Sequence, residues 1–578
     1  MDIVEDLEGA IGYFTYLLSR EIRVPTGFFK NLNPCVRSRG HQLVLDISHS
    51  YLQFKLWIVF ETYEKARLVF VQTMAELATR ASNVKCLESA GVLDFLRPLL
   101  SDPCSTVRQC AVMAAARLAE HEEGVARQLL NSGMLTATLE NLNKFNVYYK
   151  RSALYLMRAV AKHNEELASA IVRLGALEHI VSCLEDFDTQ VKENAAWALG
   201  YIAKHSEHLA GLVVDVGTLP LLVLAFQEPE ISLKQIAAGA LVDLAQHKPE
   251  AVVDAGAICH LVRGLENQDP KLKRSTLCAL GAVAGAGAEL AEATVAGGAL
   301  PPALLHAGHD AAPVRRAAAC LLRDIVKHSV DLAQLVVNTG GCGPLVELLS
   351  EGAGGARVPA CMALGYIAGQ SDQLAMAVIE AKAVIVLVDI LQNSDSEDTE
   401  LCAAAWTIGH IAKHSPQHSL AVAVANTLPR LLQLYTNPKS SGEVRARASC
   451  ALKQSLQCCL HRPALEPLLH AAPACILKYV LAQYAKILPN DARARRLFVT
   501  TGALKRVQEI DTVPGTSLKE YINIINSCFP EEIVRYYSPG YSDSLLDRVE
   551  AYTPQIPELF TDRVPSDCKS EFTIENGN

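Results

Sequence analysis

Hydrophobic positions along this chain keep two kinds of helical spacing and restart at fixed intervals. In residues 173–206, Leu177, Ile180, Val181 and Leu184 recur at three- and four-residue steps. A polar stretch, 186–190, interrupts them. From Val191 to His205 the pattern resumes, with Ala195, Ala196, Leu199 and Ile202 on one face. Ahead of Gly175, residues 166–172 form a short first helix. The reading is therefore three helices, two short and one long, with a glycine after the first. The same unit recurs. Gly91, Gly133, Gly175, Gly217, Gly256, Gly298 and Gly340 follow one another at gaps of 42, 42, 42, 39, 42 and 42 residues. His121, His163, His205 and His328 stand twelve residues before their glycine; His247 stands nine before, because three residues are missing from the loop between Lys248 and Val252. A period in the forties with three helices per unit is the armadillo pattern. No single unit can bury its own apolar face, so each is stabilised by stacking on its neighbours. The expected fold is all-α, an armadillo-repeat right-handed superhelical solenoid.

Domain organisation follows from where the period holds. Residues 1–58 do not fit it and read as an atypical N-terminal extension, either a capping helix or two or a segment that does not order. Residues 59–510 read as the solenoid, with about eight clear repeats and degenerate ones toward the C-terminus. Ala286 takes the histidine slot in the fifth glycine interval, Gln370 and Lys382 replace histidine and glycine further on, and residues 438–442 look like a loop. Gly502 still punctuates a repeat echo. Residues 511–550 read as a non-repeat, tyrosine-rich cap segment. Residues 551–578 read as a polar, disordered tail.

Composition narrows the function classes. Of 578 residues, 50% are hydrophobic, 20% charged and 6% aromatic, as in an alanine- and leucine-rich helical protein. The net charge of −9 argues against a strongly basic nucleic-acid binder. The 17 cysteines include no C-x-x-C; scattered through apolar helices, as Cys183, Cys278, Cys320 and Cys402 are, they read as free thiols in a reducing, intracellular setting, with no metal site. The acidic N-terminus is unlike a signal peptide, and no apolar run reaches 18 residues, so no membrane partner is expected.

Candidate chemistry lies in repeated slots. The histidine column does not suit a metal, since neighbours one repeat apart sit about 8–10 Å from each other, whereas zinc draws its nitrogens to about 2.0–2.1 Å. Histidine at a helix end instead meets free carbonyls and the negative end of the dipole. Thirteen residues before that slot stands a cation: Arg67, Arg108, Lys150, Lys192, Lys234, Lys273, Arg315 and Arg357, breaking at Leu401. Stacked repeats would align these into a ladder suited to an acidic partner such as a tubulin surface or a neighbouring copy of the chain. The plain alternative is that this slot only tolerates a solvated polar residue. No G-x-S-x-G, H-E-x-x-H or helix-opening G-x-G-x-x-G occurs, so no catalytic residue and no cofactor are assigned.

Several stretches carry a resemblance, and the last of them lies outside the generic repeat. They are FETYEKARLVFVQTMAELATR at 60–80, CLEDFDTQVKENAAWALGYIAKHS at 183–206 and FQEPEIS at 226–232. With them go AAAWTIGHIAKHSPQH at 403–418, NDARARRLFVTTGALKRVQEI at 490–510 and INSCFPEEIVRYYSPGYSDSLLDRV at 525–549. From about residue 59 to 550 the chain resembles the sperm-associated antigen 6 family, armadillo proteins of the central apparatus of motile cilia and flagella. The resemblance implies a non-enzymatic scaffold of the axonemal central pair. It would bind microtubules and central-apparatus proteins and support flagellar motility, and would be located in the cytoskeleton of the cilium. The alternative is an adaptor of the catenin or importin type, holding acidic or extended peptides in its groove. The importin groove needs asparagine four residues after tryptophan. Here Trp197 is followed by Tyr201 and Trp406 by His410, and the equivalent slots hold Arg117, Ala159, Asp243, Ala282, Asp324 and Tyr366.

Overall fold

Each repeat is assembled from local signals. Asn164 caps the helix Glu165–Arg173 by accepting the Leu167 N–H at 2.9 Å. The chain then turns at Gly175, whose φ of 75° lies in the left-handed region. Leu174 N–H and Gly175 N–H satisfy the carbonyls of Ala170 and Val172 at 3.0 and 2.9 Å. The next helix, Ala176–Ser182, leaves at a bend of 84°. A 3-10 turn at Cys183–Glu185 follows, and Asp188 caps the long helix Thr189–His205 through the Val191 N–H. The computed structural model describes residues 62–142, 144–350, 355–513 and 515–553. All of its regular elements there are helices. The N-terminal extension and most of the tail expected from the sequence lie outside these residues.

Two units divide the chain, one ending at Gln370 and the other beginning at Ser371. In the first, the long third helices Ser105–His121, Val147–Ala161, Thr189–His205, Ile231–Ala245, Pro270–Ala286, Ala312–Val326 and Arg357–Gln370 pack in succession. Ala195, Ala196, Leu199 and Ile202 are fully buried. Small residues set how near these helices come. A Cβ on Gly200 would stand 3.1 Å from Ala240 Cα on the next helix, so the two backbones touch there. In the second unit the order continues through Asp398–Ala412, Gly442–Cys458 and Ala474–Ile487. Beyond the last repeat-like turn at Gly502 come three further helices, Ser517–Ser527, Glu531–Tyr536 and Tyr541–Glu550.

Two departures from the sequence reading have simple physical reasons. The three-residue deletion after His247 was expected in a loop. It shortens a helix instead: Pro249–Asp254 has six residues where Glu165–Arg173 and Glu207–Asp215 have nine. Pro249 at the helix start fixes the new beginning without losing a needed N–H. Cys278, placed by its apolar neighbours among the free thiols of helical stretches, is exposed, whereas Cys183 is buried and Cys320 and Cys402 are intermediate.

The glycine slot keeps its geometry even where glycine is gone. Lys382 and Asn426 occupy it with φ of 64° and 56°. A left-handed residue with a Cβ costs about 1–2 kcal/mol, and asparagine tolerates it better than lysine. Lys382→Gly should therefore stabilise the second unit, net of the greater freedom glycine gives the unfolded chain, by about 0.5–1 kcal/mol. Thermal unfolding followed by circular dichroism would show the rise; an unchanged or lower midpoint would contradict the strain.

Candidate functional site

At His163, His205 and His247 the histidine slot joins one repeat to the one before, whereas His328 Nε2 is buried without a hydrogen-bond partner among the described residues. His163 Nε2 donates to the Ala119 carbonyl at 2.5 Å, His205 to Ala161 at 2.7 Å and His247 to Lys204 at 3.0 Å. Each acceptor lies in the last turn of the preceding long helix, where carbonyls lack intrahelical partners. The device outlives the residue type: Gln370 Nε2 and Cys458 Sγ reach the Lys327 and Lys413 carbonyls, each at 3.5 Å. Loss of one such bond should cost about 1 kcal/mol. His205→Ala should lower the urea midpoint accordingly, while His205→Gln, which keeps a donor, should restore most of it.

The eight cations do not form the open ladder expected of them. Arg67 is buried, with side-chain exposure of only 7%, and its Nε lies 2.9 Å from Asp102 Oδ2. Lys150 Nζ donates to Asp186 at 2.8 Å and Lys192 Nζ to Glu228 at 2.7 Å. All three bonds cross to the loop before the next repeat's long helix, 35 or 36 residues on. Arg108 and Arg315 instead fasten their own loops. Arg108 donates to the Asp102 and Pro103 carbonyls and lies 4.0 Å from the Phe145 ring centre; Arg315 donates to the His309 and Asp310 carbonyls at 2.8 and 2.9 Å. Arg357 donates to the Leu349 carbonyl at 3.2 Å. The side chains of Lys234 and Lys273 make no hydrogen bond or ion pair among the described residues. The structure thus brings Arg67, Lys150 and Lys192 to inter-repeat carboxylates, and a partner could not reach Arg67 without unpacking it.

Electrostatics fit that bracing role. Donating to the Asp186 carboxylate raises the Lys150 pKa. Burial pushes Asp186 up, but the bonds from Lys150 and the Asp188 N–H, with the lysine charge, bring it below its ordinary value. Asp188 is lowered chiefly by Arg151. Asp102, Asp186 and Glu228 were not singled out from the sequence. The signal was present: a carboxylate 35 or 36 residues after a slot cation. Where it is missing, at Lys144 after Arg108 and at His309 after Lys273, no such bridge forms, but the signal is not sufficient: Asp269 stands 35 residues after Lys234 and accepts from Gln235 instead, at 2.7 Å.

A second constellation lies on the exposed face of the long helices. Trp197 is 39% exposed. The Arg158 guanidinium sits 4.1 Å from its ring centre and Tyr201 stacks at 6.4 Å with an interplanar angle of 18°. Arg158 is held by Glu120 at 3.5 Å and by Asn194 Oδ1 at 3.2 Å. Beside Trp197 opens a groove of about 720 Å³ over Thr189–His205, Ile231–Ala245, Pro270–Ala286 and the start of Ala312–Val326. Gly200, Gly239 and Ala240 line it, with Asp243, Lys271 and Arg274. Among the described residues nothing would meet a Cβ on Gly239 within 4 Å. Asp243 accepts no hydrogen bond among the described residues; burial raises its pKa to about 6, against the pull of Lys204 and His247. In the second unit, the residue four after Trp406 is likewise polar and perturbed. Burial, with Lys413 and His414, lowers His410 to about 4, and Lys413 Nζ stands 3.1 Å from His410 Nδ1. Among the described residues no group of three His, Cys, Asp or Glu side chains could hold a metal ion, and no single helix is long and apolar enough to cross a membrane.

Helices in threes, left-handed turns at a fixed slot and side chains that tie each repeat to the last define an armadillo-repeat protein. Residues 164–204 match the armadillo/beta-catenin-like repeat family. The crystal structure of an engineered protein superimposes with a TM-score of 0.61 at 27% identity, covering 68% of this chain and 95% of that one. Over 167 residues the chain is 55% identical to sperm-associated antigen 6 of Mus musculus, and equally so to that of Homo sapiens. Those alignments take in 29% of this chain and 33% of each relative. They bear out the resemblance to the sperm-associated antigen 6 family over that stretch.

Proposed function

We propose that this chain is a non-enzymatic scaffold of the central apparatus of motile cilia and flagella, engaging microtubules or axonemal proteins through the surface of its repeats. The observation that carries the reading is the 55% identity to sperm-associated antigen 6, on a fold whose recurring polar residues join repeat to repeat. Side chains that tie each repeat to the one before fix the surface within a unit, which suits docking of a protein partner. On the cation edge, Lys234 and Lys273 are the members left for an acidic partner.

Cosedimentation of the full chain with stabilised microtubules tests this. The chain should pellet, and less so as salt rises and the Debye length contracts from about 10 Å at 0.1 M to about 3 Å at 1 M. Lys234→Glu with Lys273→Glu should weaken pelleting without unfolding the chain, whereas Lys192→Glu should destabilise it by setting two carboxylates together. A wild-type chain that stays in the supernatant at low salt contradicts microtubule binding.

A further inference from the structure

We propose that the edge formed by the loops leading into the long helices, where Tyr148, Phe187 and Ile231 stand exposed, docks one amphipathic α-helix of a partner protein. That helix lays a heptad-spaced apolar stripe against the three side chains and carries lysine or arginine beside the stripe. The inference rests on the scaffold reading only in requiring a protein partner.

Phe187 is the anchor. Its side chain is 104% exposed, on the loop that leads into Thr189–His205. Both residues that flank it are tied to the preceding long helix: Asp186 accepts from Lys150 Nζ at 2.8 Å, and Asp188 Oδ1 accepts from Arg151 Nε at 2.8 Å. The ring is thus held out by a braced backbone. The same slot one repeat earlier, 42 residues back, shows the contrast. Phe145 lies against the Arg108 guanidinium, 4.0 Å from its ring centre, and edge-on to Tyr149 at 4.9 Å. Arg108 can cover that ring because the residue ahead of it is Lys144, which offers no carboxylate. Ahead of Phe187 stands Asp186, which engages Lys150 and leaves the ring bare. An exposed aromatic ring on a fixed backbone loses little freedom on binding, which makes it a strong anchor.

Tyr148 and Ile231 extend the edge on either side. Tyr148, 59% exposed, lies in the first turn of Val147–Ala161, and Ile231, 44% exposed, opens Ile231–Ala245. The Arg151 guanidinium that holds Asp188 also sits 5.2 Å from the Tyr148 ring centre, so Tyr148 borders the Phe187 loop. On the other side Lys192 Nζ reaches Glu228, in the loop just ahead of Ile231, at 2.7 Å. Neighbouring long helices lie about 8–10 Å apart. Residues one heptad apart on a helix are separated by about 10.5 Å, so a single helix presents one apolar side chain to each repeat. A strand fits worse, since its same-face side chains recur at about 6.6 or 13 Å. Charge sets the flanks of the stripe. Glu185 and Glu230 are exposed next to the last two anchors, and their side chains make no hydrogen bond or ion pair among the described residues. Lys234, one turn past Ile231, is half-buried, so the outer rim is acidic and selects a basic partner.

The probe is a fluorescein-labelled peptide made of three copies of Leu-Ala-Ala-Leu-Lys-Ala-Lys, titrated with the full chain and followed by fluorescence anisotropy. Its lysines flank the leucine stripe and keep the peptide from pairing with itself. Saturable binding is expected below about 1 mM. Phe187→Ser should weaken it about tenfold and leave the thermal midpoint unchanged, because the ring is bare in the folded chain. Glu185→Lys with Glu230→Lys should weaken it also, and should bind better the peptide whose lysines are replaced by glutamate. No saturable binding by the wild type, an affinity within twofold in Phe187→Ser, or equal binding of the glutamate peptide by the wild type would overturn the proposal. Because no microtubule is present, a chain that binds the peptide yet fails to pellet contradicts the axonemal reading alone, and one that pellets without binding the peptide contradicts the edge alone.

Discussion

Asp102→Ala should destabilise the N-terminal repeats by about 3–5 kcal/mol, because it leaves the Arg67 guanidinium buried with its partner carboxylate gone. Asp102 serves two structures at once. Its carboxylate faces Arg67 across the repeat boundary at 2.9 Å, and Oδ1 also accepts the Cys104 N–H at 2.8 Å at the start of Ser105–His121. Arg67 is enclosed further by Tyr63, whose ring centre lies 4.2 Å from the guanidinium carbon. The pair need not be a net stabiliser, since burying both charges is itself costly. Arg67→Met with Asp102→Leu should therefore recover most of the loss. Urea unfolding followed by circular dichroism would read this as an early transition in Asp102→Ala that the double variant removes. A single-variant loss below about 1 kcal/mol would mean that the ion pair is solvated in solution.

The second large effect is a pair of opposite pH dependences. Asp243 is an acid whose folded pKa is raised from 3.8 to about 6, so its ionised form is the disfavoured one in the folded chain. Its cost is full above about pH 6 and shrinks as pH falls toward 4. At about 1.4 kcal/mol per pKa unit the ceiling is about 3 kcal/mol, and partial solvation reduces it to about 1–2 kcal/mol. His410 is a base lowered from 6.5 to about 4, so it must stay neutral in the folded chain. Its stability is intact above about pH 6.5 and is lost as pH falls through that value toward 4. The ceiling is again about 3 kcal/mol, reduced by partial solvation. Asp243→Asn should thus be more stable than the wild type at pH 7.5, by a margin that roughly halves at pH 5. His410→Leu should show its advantage at pH 5 and little at pH 7.5. Thermal midpoints at the two pH values decide it, and parallel behaviour of the two variants would contradict both environments.

Much of the fold was legible because its signals are local and repeated. Gly175 and its counterparts mark a left-handed turn that only a few residue types adopt, and the three-and-four spacing of Leu177, Ile180, Val181 and Leu184 marks a buried face. The partners of the polar slots were harder to see. His205 was placed at a helix end, but its acceptor, Ala161, lies 44 residues earlier, and only stacking brings the two together. The cations were read by periodicity alone, which shows that a slot is selected and not what it faces. Lys150 and Lys192 face carboxylates one repeat on, and Arg67 is buried against another. The deletion after His247 was read as a loop change because helix length there depends on where Pro249 starts the helix. The groove was not legible: Trp197, Gly239 and Asp243 belong to two repeats, and nothing in either shows that Asp243 is left without a partner.

The most direct test of the central claim is where the intact chain goes. A fluorescently tagged copy expressed in a multiciliated or flagellated cell should run along the axoneme and coincide with the central pair, and it should be absent from axonemes that lack that pair. A copy confined to the nucleus or spread through the cytosol of a cell with beating cilia would contradict the scaffold account.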